Sequence, residues 1–209
     1  EIATEALIST HYRADVRVGD VTAPGTLGPA VADIGAIIHL VGIISEVGDA
    51  TFENVHRRGT ENLLAAAQQA GVRRFVHMSA LGTRLGAPSR YHQSKCAAEE
   101  RVRQSGLEFT IFRPSLIFGP GAPFVTLYAR LIRLSPVVPV LGSGQALFQP
   151  VAVETVAQAF ARALSQPKAL ARTFELCGPE RFTFDGMLDQ ILEVMGRRRL
   201  KLHLPLGLA

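Results

Sequence analysis

The sequence predicts an α/β fold in which a doubly wound parallel sheet is followed by a small C-terminal α/β lobe. Three short, mainly apolar runs have the composition of buried strands: residues 36–41, 74–79 and 109–113. Segments of helical length, 52–70 and 89–105, separate these runs, and Gly71 and Gly106 end them. Because strand and helix alternate, the strands are expected to be parallel and joined by right-handed helical crossovers.

The elements before the first buried strand are shorter. Residues 1–10 have the pattern of a short helix, and residues 15–18 alternate like a strand that stops at Gly19. Residues 22–32 suit a short helix after a break at Pro24. We therefore expect a helix, a strand and a second short helix in this part of the chain.

The later elements follow a looser pattern. In order, helix, helix, strand, helix and strand are predicted at 123–134, 154–164, 172–176, 183–195 and 200–204. A segment rich in proline and glycine, without a predicted element, runs up to Pro150. We expect two domains, residues 1–121 and a smaller region at 122–209, with some segments of the second region returning to the main sheet.

The composition is that of a globular protein with a buried core. Of 209 residues, 47% are hydrophobic and 19% are charged, and no apolar run reaches the roughly 18 residues of a membrane-spanning helix. No secretion signal opens the sequence, and Cys96 and Cys177 lie far apart without metal-ligand spacing. These features predict a cytoplasmic protein with reduced cysteines and no metal site. Peripheral association with the inner face of a membrane is the alternative localisation.

The net charge of +4 is spread along the chain, apart from three consecutive arginines at 197–199. No aromatic residues interleave with this cluster, which argues against a nucleic-acid partner. A solvated helix end explains the cluster better than contact with anionic lipid or an acidic protein.

Tyr91 and Lys95 form the most informative pair in the sequence. They are four residues apart on the helix predicted at 89–105, so they share one face. A nearby ammonium favours phenolate and is expected to lower the tyrosine pKa from its ordinary value of about 10. Such a tyrosine can exchange a proton with a substrate oxygen near neutral pH, and the lysine can hold a ribose hydroxyl. The alternative is an exposed tyrosine beside a solvated lysine.

In a doubly wound sheet, ligands bind at the carboxyl ends of the strands. Four such ends contain polar or small residues: Gly19-Asp20, Leu40-Val41-Gly42, Ser79-Ala80 and Pro114-Ser115. Asp20 is placed to accept from an adenine amino group, or is a solvated turn residue. Gly42 allows a ribose or phosphate to approach closely, or is a simple turn glycine. His39, inside an apolar strand, is expected to be a core histidine with satisfied hydrogen bonds.

The order of several motifs resembles the short-chain dehydrogenase/reductase superfamily, in its extended and atypical branches. The motifs are GDVT, HLVG, GTENLLAAA, RFVHMSALG, YHQSK, RPSLIFGPG and FQPVAVETVAQAF. The sequence is similar in particular to the group around the nucleotide-binding accessory subunit of respiratory complex I and its bacterial relatives, which are NAD-dependent epimerase/dehydratase-like proteins. The combination is specific, although each motif alone is weak.

The resemblance implies a Rossmann-type domain that binds NADP or NAD, followed by a small substrate domain. The implied cofactor contacts run along the strand ends: Asp20 and Val21 at the adenine, Leu40, Val41 and Gly42 under the adenosine, Ser79 beside the nicotinamide, and Pro114, Ser115 and Ile117 with their backbone facing the nicotinamide. The resemblance also implies that Tyr91 and Lys95 bind the cofactor and, with Ser79, form the catalytic group. Thr60 and Asn62 match a helix motif that supports the neighbouring strands.

Two departures from the family pattern bear on activity. Active members of the extended branch usually have a serine or threonine two residues after Ser79, where this chain has Leu81. The glycine-rich turn that holds the pyrophosphate at a helix N-terminus is absent from the sequence. We expect that the sequence lacks an N-terminal strand and turn, as well as an internal segment near residues 9–14.

Substrate contacts are expected after Gly121. By position alone, the candidates are Phe124, Tyr128, Phe148 and Gln149. Most apolar side chains in this region are expected to belong to a core. The expected partners are thus the dinucleotide and a small-molecule substrate.

Two functions fit these observations. In the first, the protein is an NAD(P)(H)-binding oxidoreductase or epimerase/dehydratase acting on a carbonyl, sugar-nucleotide or quinone-related substrate. In the second, it is a non-catalytic dinucleotide-binding accessory subunit of a respiratory complex I-type assembly. The intact pair of Tyr91 and Lys95 favours the first, and Leu81 favours the second. A redox-sensing regulator is a third, weaker interpretation.

Overall fold

The computed structural model of the protein describes residues 14–205. The helix predicted at 1–10 lies outside these residues, as does most of the segment near 9–14. The described strands are β1 (Ala36–His39), β2 (Arg74–Met78), β3 (Glu108–Pro114), β4 (Ile117–Phe118), β5 (Val137–Leu141), β6 (Leu147–Phe148), β7 (Val151–Ala152), β8 (Arg172–Leu176), β9 (Phe182–Thr183) and β10 (Leu200–Leu204). The described α-helices are α1 (Leu27–Ala30), α2 (Gly59–Gln69), α3 (Arg90–Gln104), α4 (Pro123–Leu134), α5 (Val153–Ala163) and α6 (Phe184–Val194).

The main sheet has four strands in the order β1-β2-β3-β8. Strands β1 and β2 are parallel, with Ala36 opposite Arg74 and His39 opposite His77. Along the chain, α2 connects β1 to β2 and α3 connects β2 to β3. The predicted α/β fold with a parallel sheet is therefore confirmed.

The prediction of a strand at residues 15–18 is wrong. These residues form no strand, and the guanidinium of Arg17 instead donates to the carbonyl oxygens of Pro29 and Ala32, at 3.2 and 2.7 Å. Alternation of polar and apolar residues was therefore not sufficient to identify a strand here, because the segment is anchored by a side chain rather than by a ladder.

Two strands lie in the proline- and glycine-rich segment for which no element was predicted. One of them, β5, pairs in parallel with β10 and places Pro139 opposite Leu202. The other, β6, pairs antiparallel with β9. Proline is unfavourable inside most strands and is tolerated where its missing N–H faces away from the partner. Composition alone therefore argued against a strand that the pairing with β10 stabilises.

The helix predicted at 52–70 begins irregularly. Residues Glu53–Arg58 form a π-helical segment before α2 begins at Gly59. The buried side chains of this segment are Val55 and His56. π-Helical turns are rare overall, but those that occur often lie at functional sites. They change which side chains of a helix face inward.

The chain divides into two compact units. The first comprises the residues up to Ile111 together with Ala163–Thr173, and the second comprises Phe112–Arg162 together with the residues from Phe174 onward. The core of the first unit includes Leu27, Ile37, Leu64, Phe75, Val102 and Ile111. The core of the second includes Ile132, Val138, Val140, Phe184, Leu188 and Leu192. Each unit therefore has its own apolar centre, as expected of an independently packed region.

His39 and His77 are buried opposite each other on β1 and β2, with ring centroids 5.2 Å apart. Burial lowers both pKa values, that of His39 to about 3. His39 Nε2 is 3.2 Å from Oγ1 of Thr60, which supports the structural role predicted for that threonine. Within residues 14–205, His39 Nδ1 and both ring nitrogens of His77 have no hydrogen-bond partner. The prediction that His39 is a core residue is confirmed. Its hydrogen bonds are satisfied at Nε2 but not at Nδ1.

Arg74 is a buried charged residue in β2. Its guanidinium donates to the carbonyl oxygens of Glu108 and Ala163 and to Oγ1 of Thr110. Thr110 in turn donates to the carbonyl oxygen of Ala169. The network ties β2 and β3 to the end of α5 and to the segment that follows it, and it supplies donors to the buried Ala163 carbonyl and Thr110 hydroxyl oxygens.

Replacing Arg74 by leucine leaves these buried acceptors without their donor. We expect Arg74→Leu to lower the free energy of unfolding by about 2 to 4 kcal/mol, since each buried polar group left unpaired costs roughly 1 to 3 kcal/mol. Urea denaturation followed by circular dichroism measures the change. Arg73→Leu, at the neighbouring and largely exposed position, is the matched control and is expected to change it by less than about 0.5 kcal/mol. Equal effects of the two variants would show that the Arg74 network adds no stability.

Candidate functional site

Helix α3 places the predicted pair at the carboxyl end of β2. Lys95 is 4% exposed, and its Nζ donates to the main-chain carbonyl oxygen of Met78, the last residue of β2, at 3.1 Å. Tyr91 lies one turn earlier on the helix and is half-buried. Its ring meets the ring of His56 edge-on, with centroids 5.4 Å apart. The structure therefore does not support the alternative of an exposed tyrosine beside a solvated lysine.

Burial shifts the pKa values of both groups toward their neutral forms. It lowers the pKa of Lys95 from 10.5 to about 8, partly opposed by the carboxylate of Glu99. It raises the pKa of Tyr91 above 10.0. The sequence predicted a lowered pKa for Tyr91 through the charge of Lys95, and this prediction is wrong because loss of hydration dominates. Tyr91 is therefore a protonated phenol at neutral pH.

Gly42 follows β1 and passes close to the buried lysine. A Cβ atom at this position would be 3.1 Å from Lys95 Nζ and 3.4 Å from His56 Nε2. These distances leave little space for a side chain, so the close approach itself favours glycine. Leu40 and Val41, which precede it, are largely exposed.

His56 connects this loop to Tyr91 through hydrogen bonds. The main-chain N–H of Ile43 donates to His56 Nε2 at 3.0 Å, so Nε2 has no proton and Nδ1 must hold it. His56 Nδ1 then donates to Oγ of Ser94 at 2.8 Å, and that hydroxyl donates to the carbonyl oxygen of Tyr91 at 2.7 Å. Burial lowers the pKa of His56 to about 4, which keeps the ring in this neutral form. The bonds fix the first turn of α3 against the loop after β1.

Sequence reasoning missed both His56 and Ser94. They are separated by 38 residues in the chain, and a helix pattern gives no sign of such a partner. His56 also lies in a π-helical segment, so its side chain points in a different direction than it would on a regular α-helix. The available signal was the position of Ser94, directly before Lys95 in the YHQSK motif.

Ser79 lies just after β2, next to a second buried hydroxyl. Ser79 Oγ donates to Thr83 Oγ1 at 3.3 Å, and both residues are buried. Leu81 is half-buried, and its carbonyl oxygen accepts from His92 Nε2 at 3.1 Å. Leu81 has no hydroxyl group, but Thr83 places one beside Ser79. The sequence pattern did not identify Thr83.

The first unit contains a cavity of about 790 Å³. Its lining includes Asp20, Val21, Val41, Asn54, Arg58 and Asn62. This volume falls within the range of roughly 300 to 1,000 Å³ of small-molecule sites. Three residues that the family resemblance assigns to the adenosine end of the cofactor therefore meet at one cavity.

The segment of Asp20 and Val21 is clamped against α2. Asn62 Nδ2 donates to the carbonyl oxygen of Val21 at 2.8 Å, and a Cβ atom on Gly59 would be 2.8 Å from Cγ2 of Val21. Asp20 Oδ1 accepts from the main-chain N–H and the hydroxyl of Thr22, at 2.7 and 2.8 Å, which lowers the aspartate pKa. Asp20 is thus an exposed turn residue that also lines the cavity, and Asn62 has the supporting role that was predicted.

The predicted cofactor contacts Pro114, Ser115 and Ile117 belong to the second unit. Pro114 is buried at the end of β3, and the N–H of Ser115 donates to the carbonyl oxygen of Leu176 at 2.9 Å. Ile117 pairs with Val151 in the two-stranded sheet of β4 and β7. Their contacts with a cofactor stay predictions.

The four candidate substrate contacts differ in their surroundings. Tyr128 is buried in the second core, and Phe124 and Phe148 pack against that core partly buried. Gln149 Nε2 donates to the carbonyl oxygen of Gly178 at 2.6 Å. Tyr128 is therefore a core residue, as was expected for most apolar side chains of this region.

The part of the chain that the structure describes gives further findings on metals, membranes and cysteines. Among residues 14–205, no group of three or more His, Cys, Asp or Glu side chains is arranged to hold a metal ion. None of the helices described there is both long and apolar enough to cross a bilayer. Cys96 and Cys177 are both free and half-buried.

A model of a protein family described as NAD(P)H-binding matches residues 3–129, which is more than half of the chain. The chain belongs to this NAD(P)H-binding family. The predicted cofactor class, NADP or NAD, is thereby confirmed. The match spans the large cavity, the loop after β1 and the pair on α3.

Curated relatives support the same family. The mitochondrial NADH dehydrogenase [ubiquinone] 1 alpha subcomplex subunit 9 of Arabidopsis thaliana is 31% identical over 86% of this chain and 46% of its own length. A ceramide reductase of Caulobacter vibrioides is 34% identical over 61% of this chain and 40% of its own length. This chain thus spans about half the length of the curated relatives it matches.

Solved structures show the same fold. A dTDP-glucose 4,6-dehydratase from Streptomyces venezuelae, crystallised with NAD, superposes with a TM-score of 0.85 over 98% of this chain and 71% of its own, at 20% identity. A UDP-glucose 4-epimerase from Thermotoga maritima gives a TM-score of 0.74 over 90% of this chain and 70% of its own, at 16% identity. The predicted resemblance to Rossmann-type epimerase/dehydratase folds is confirmed.

The buried ammonium of Lys95 makes stability depend on pH. Since the pKa of Lys95 is about 8 in the folded state and 10.5 ordinarily, the unfolded chain binds more protons than the folded chain between these values. The contribution of Lys95 to the free energy of unfolding therefore rises with pH from about 8 to 10.5, by on the order of 3 kcal/mol. We expect the difference between wild type and Lys95→Met, measured by urea denaturation, to rise across this window.

Lys168→Met is the matched control, because Lys168 is exposed. Its difference from wild type is expected to stay flat over the same pH range. A flat difference for Lys95→Met as well would contradict the lowered pKa.

Proposed function

We propose that the protein is an NAD(P)H-dependent oxidoreductase that reduces a carbonyl group of a small-molecule substrate. The observation that carries the proposal is the pair on α3, in which a protonated Tyr91 accompanies a buried Lys95 at the end of β2. Ceramide reductase, one of the relatives, is named for a reduction, which supports this direction of reaction.

In this proposal, the large cavity of the first unit holds the adenosine end of the cofactor. Asp20, Val21 and Val41 line that cavity, and Gly42 directly follows Val41 and lies against Lys95 Nζ. The loop from Leu40 to Gly42 therefore leads from the adenosine site to the lysine, whose ammonium donates to a ribose hydroxyl. Pro114, Ser115 and Ile117 are assigned to the nicotinamide through their backbone. When bound, the cofactor supplies the hydride.

Tyr91 acts as the general acid. Its raised pKa keeps the phenol protonated at neutral pH, which is the form that can donate to a carbonyl oxygen as hydride reaches the carbonyl carbon. One C–H and one O–H bond form on the substrate, the phenol O–H bond breaks, and the phenolate regains its proton from water. The ammonium of Lys95 stabilises that phenolate, and Ser79 is assigned a hydrogen bond to the substrate oxygen.

A non-catalytic accessory subunit is the second candidate. Leu81 favours it, because the hydroxyl that helps to polarise a carbonyl in active family members is missing at this position. Several relatives are named as subunits of mitochondrial NADH dehydrogenase or NADH-ubiquinone oxidoreductase. Here the same cavity would keep the dinucleotide as a structural element of a respiratory complex I-type assembly, peripheral to the inner face of a membrane.

Tyr91→Phe separates proton transfer from binding. We expect the variant to bind NADPH within about twofold of wild type and to lose roughly 10²- to 10⁴-fold in kcat/KM, the usual contribution of a general acid. Binding is followed by titration with NADPH and NADH, and turnover by the loss of NADPH absorbance with simple carbonyls and quinones. Tyr128→Phe is the matched control, since Tyr128 is buried in the second core, and it is expected to keep normal turnover.

Two outcomes decide between the candidates. Unchanged turnover in Tyr91→Phe would remove Tyr91 from the mechanism. If wild-type protein binds NADPH but no carbonyl or quinone oxidises it, the accessory subunit is the better explanation.

A further inference from the structure

One of the candidate substrate contacts, Phe124, lines a small apolar pocket of the second unit. Its volume is about 230 Å³, and β4, α4 and α6 supply most of its walls. Its apolar lining includes Leu116, Phe118, Phe124, Val125, Met187 and Ile191. Two of them remain partly in water, because Phe118 is 42% exposed and Val125 is 36% exposed.

The lining of this pocket excludes strongly polar ligands. Among the described residues that line it, Gln190 is the single polar side chain, and none is lysine or arginine. Diphosphates and sugars are recognised through charge-assisted and directional hydrogen bonds, often from arginine. A sugar nucleotide would therefore lose its hydration in this pocket without gaining partners.

The volume indicates how much of a ligand the pocket accepts. Sites for whole small molecules measure roughly 300 to 1,000 Å³, so a pocket of about 230 Å³ holds part of one. An unbranched or isoprenoid chain suits a narrow apolar space, because each buried methylene contributes without needing a hydrogen bond.

The position of the pocket in the chain relates it to the proposed reaction. Leu116, in its wall, directly follows Ser115 in the segment assigned to the nicotinamide. Phe118, at the end of β4, lies two residues further on. The same short segment therefore contributes to the assigned nicotinamide contacts and to the apolar wall.

We propose that this pocket binds the aliphatic or isoprenoid tail of the substrate, so that the substrate is a lipid-like carbonyl compound rather than a sugar nucleotide. The identity of the reacting group rests on the proposed function, whereas binding of the tail does not. The partly exposed Phe118 and Val125 become covered when the tail binds.

The experiment uses octan-1-ol, butan-1-ol and UDP-glucose as probes in calorimetric titrations of the intact protein. We expect octan-1-ol to bind at least tenfold more tightly than butan-1-ol, because four more methylenes are buried. Val125→Asp places a carboxylate in the pocket wall and is expected to weaken octan-1-ol binding at least tenfold. Leu127→Asp is the matched control, on the same helix and 53% exposed, and it is expected to change binding less than twofold. Val125→Ser gives the same ranking if Val125→Asp does not fold.

Several results would overturn the proposal. They are equal affinity for the two alcohols, equal effects of the substitutions at 125 and 127, and UDP-glucose binding that Val125→Asp weakens. A dimer that Val125→Asp dissociates, without octan-1-ol binding to wild type, would assign the pocket to contact between copies instead.

Turnover of aldehydes separates this inference from the proposed function. If octan-1-ol binds in the pocket but octanal does not oxidise NADPH, the oxidoreductase proposal fails and the tail site stands. If butanal and octanal are reduced with equal kcat/KM, the oxidoreductase proposal stands and the tail site fails.

Discussion

The burial of one ammonium group sets the conditions for the rest of the site. Lys95 has lost nearly all contact with water, and its pKa is lowered to about 8. A buried charge of this kind is tolerated only when its surroundings compensate. Glu99, one turn later on the same helix, favours the charged form. His39, His56 and His77 stay neutral, because burial and the nearby charge of Lys95 both lower their pKa values.

The neutrality of His56 determines how Tyr91 is held. A protonated imidazole has two donors and cannot accept from the main-chain N–H of Ile43. The neutral ring accepts there and donates to Ser94, which in turn holds the carbonyl oxygen of Tyr91. Burial and the charge of Lys95 thus keep the ring neutral, and the N–H of Ile43 selects the tautomer that connects the loop after β1 to the helix on which both catalytic candidates lie. The position of Tyr91 and the charge of Lys95 are therefore coupled through His56.

The sequence predicted the elements that local pattern determines. The strand at 74–79 and the helix at 89–105 match β2 and α3 closely, because apolar runs and glycine ends are local signals. The bonds of His56 depend on a π-helical segment and on a partner 38 residues away, so no local pattern contains them. The pKa of Tyr91 was predicted in the wrong direction, since charge is visible in a sequence while the loss of water around a phenol is not.

Two cavities of the structure differ in the chemistry of their walls. Charged and amide side chains, including Asp20, Arg58 and Asn62, line the cavity of about 790 Å³ in the first unit, whereas the pocket of about 230 Å³ in the second unit is almost wholly apolar. Hydrogen-bonding groups suit a nucleotide, which has many donors and acceptors in fixed positions. An apolar wall suits an aliphatic ligand, which has no hydrogen-bond donors or acceptors. The hydrophobic content of the sequence is a single average over the whole chain. Only the folded structure shows that one cavity is polar and the other apolar.

The raised pKa of Tyr91 bears on the direction of the proposed reaction. A phenol whose pKa is raised above 10.0 is a poor donor to a neutral carbonyl, yet it remains a far stronger acid than water or an aliphatic alcohol. In the proposed reduction, proton transfer therefore becomes favourable once hydride addition has begun to form an alkoxide. Oxidation of an alcohol would instead need the phenolate, which is scarce at neutral pH.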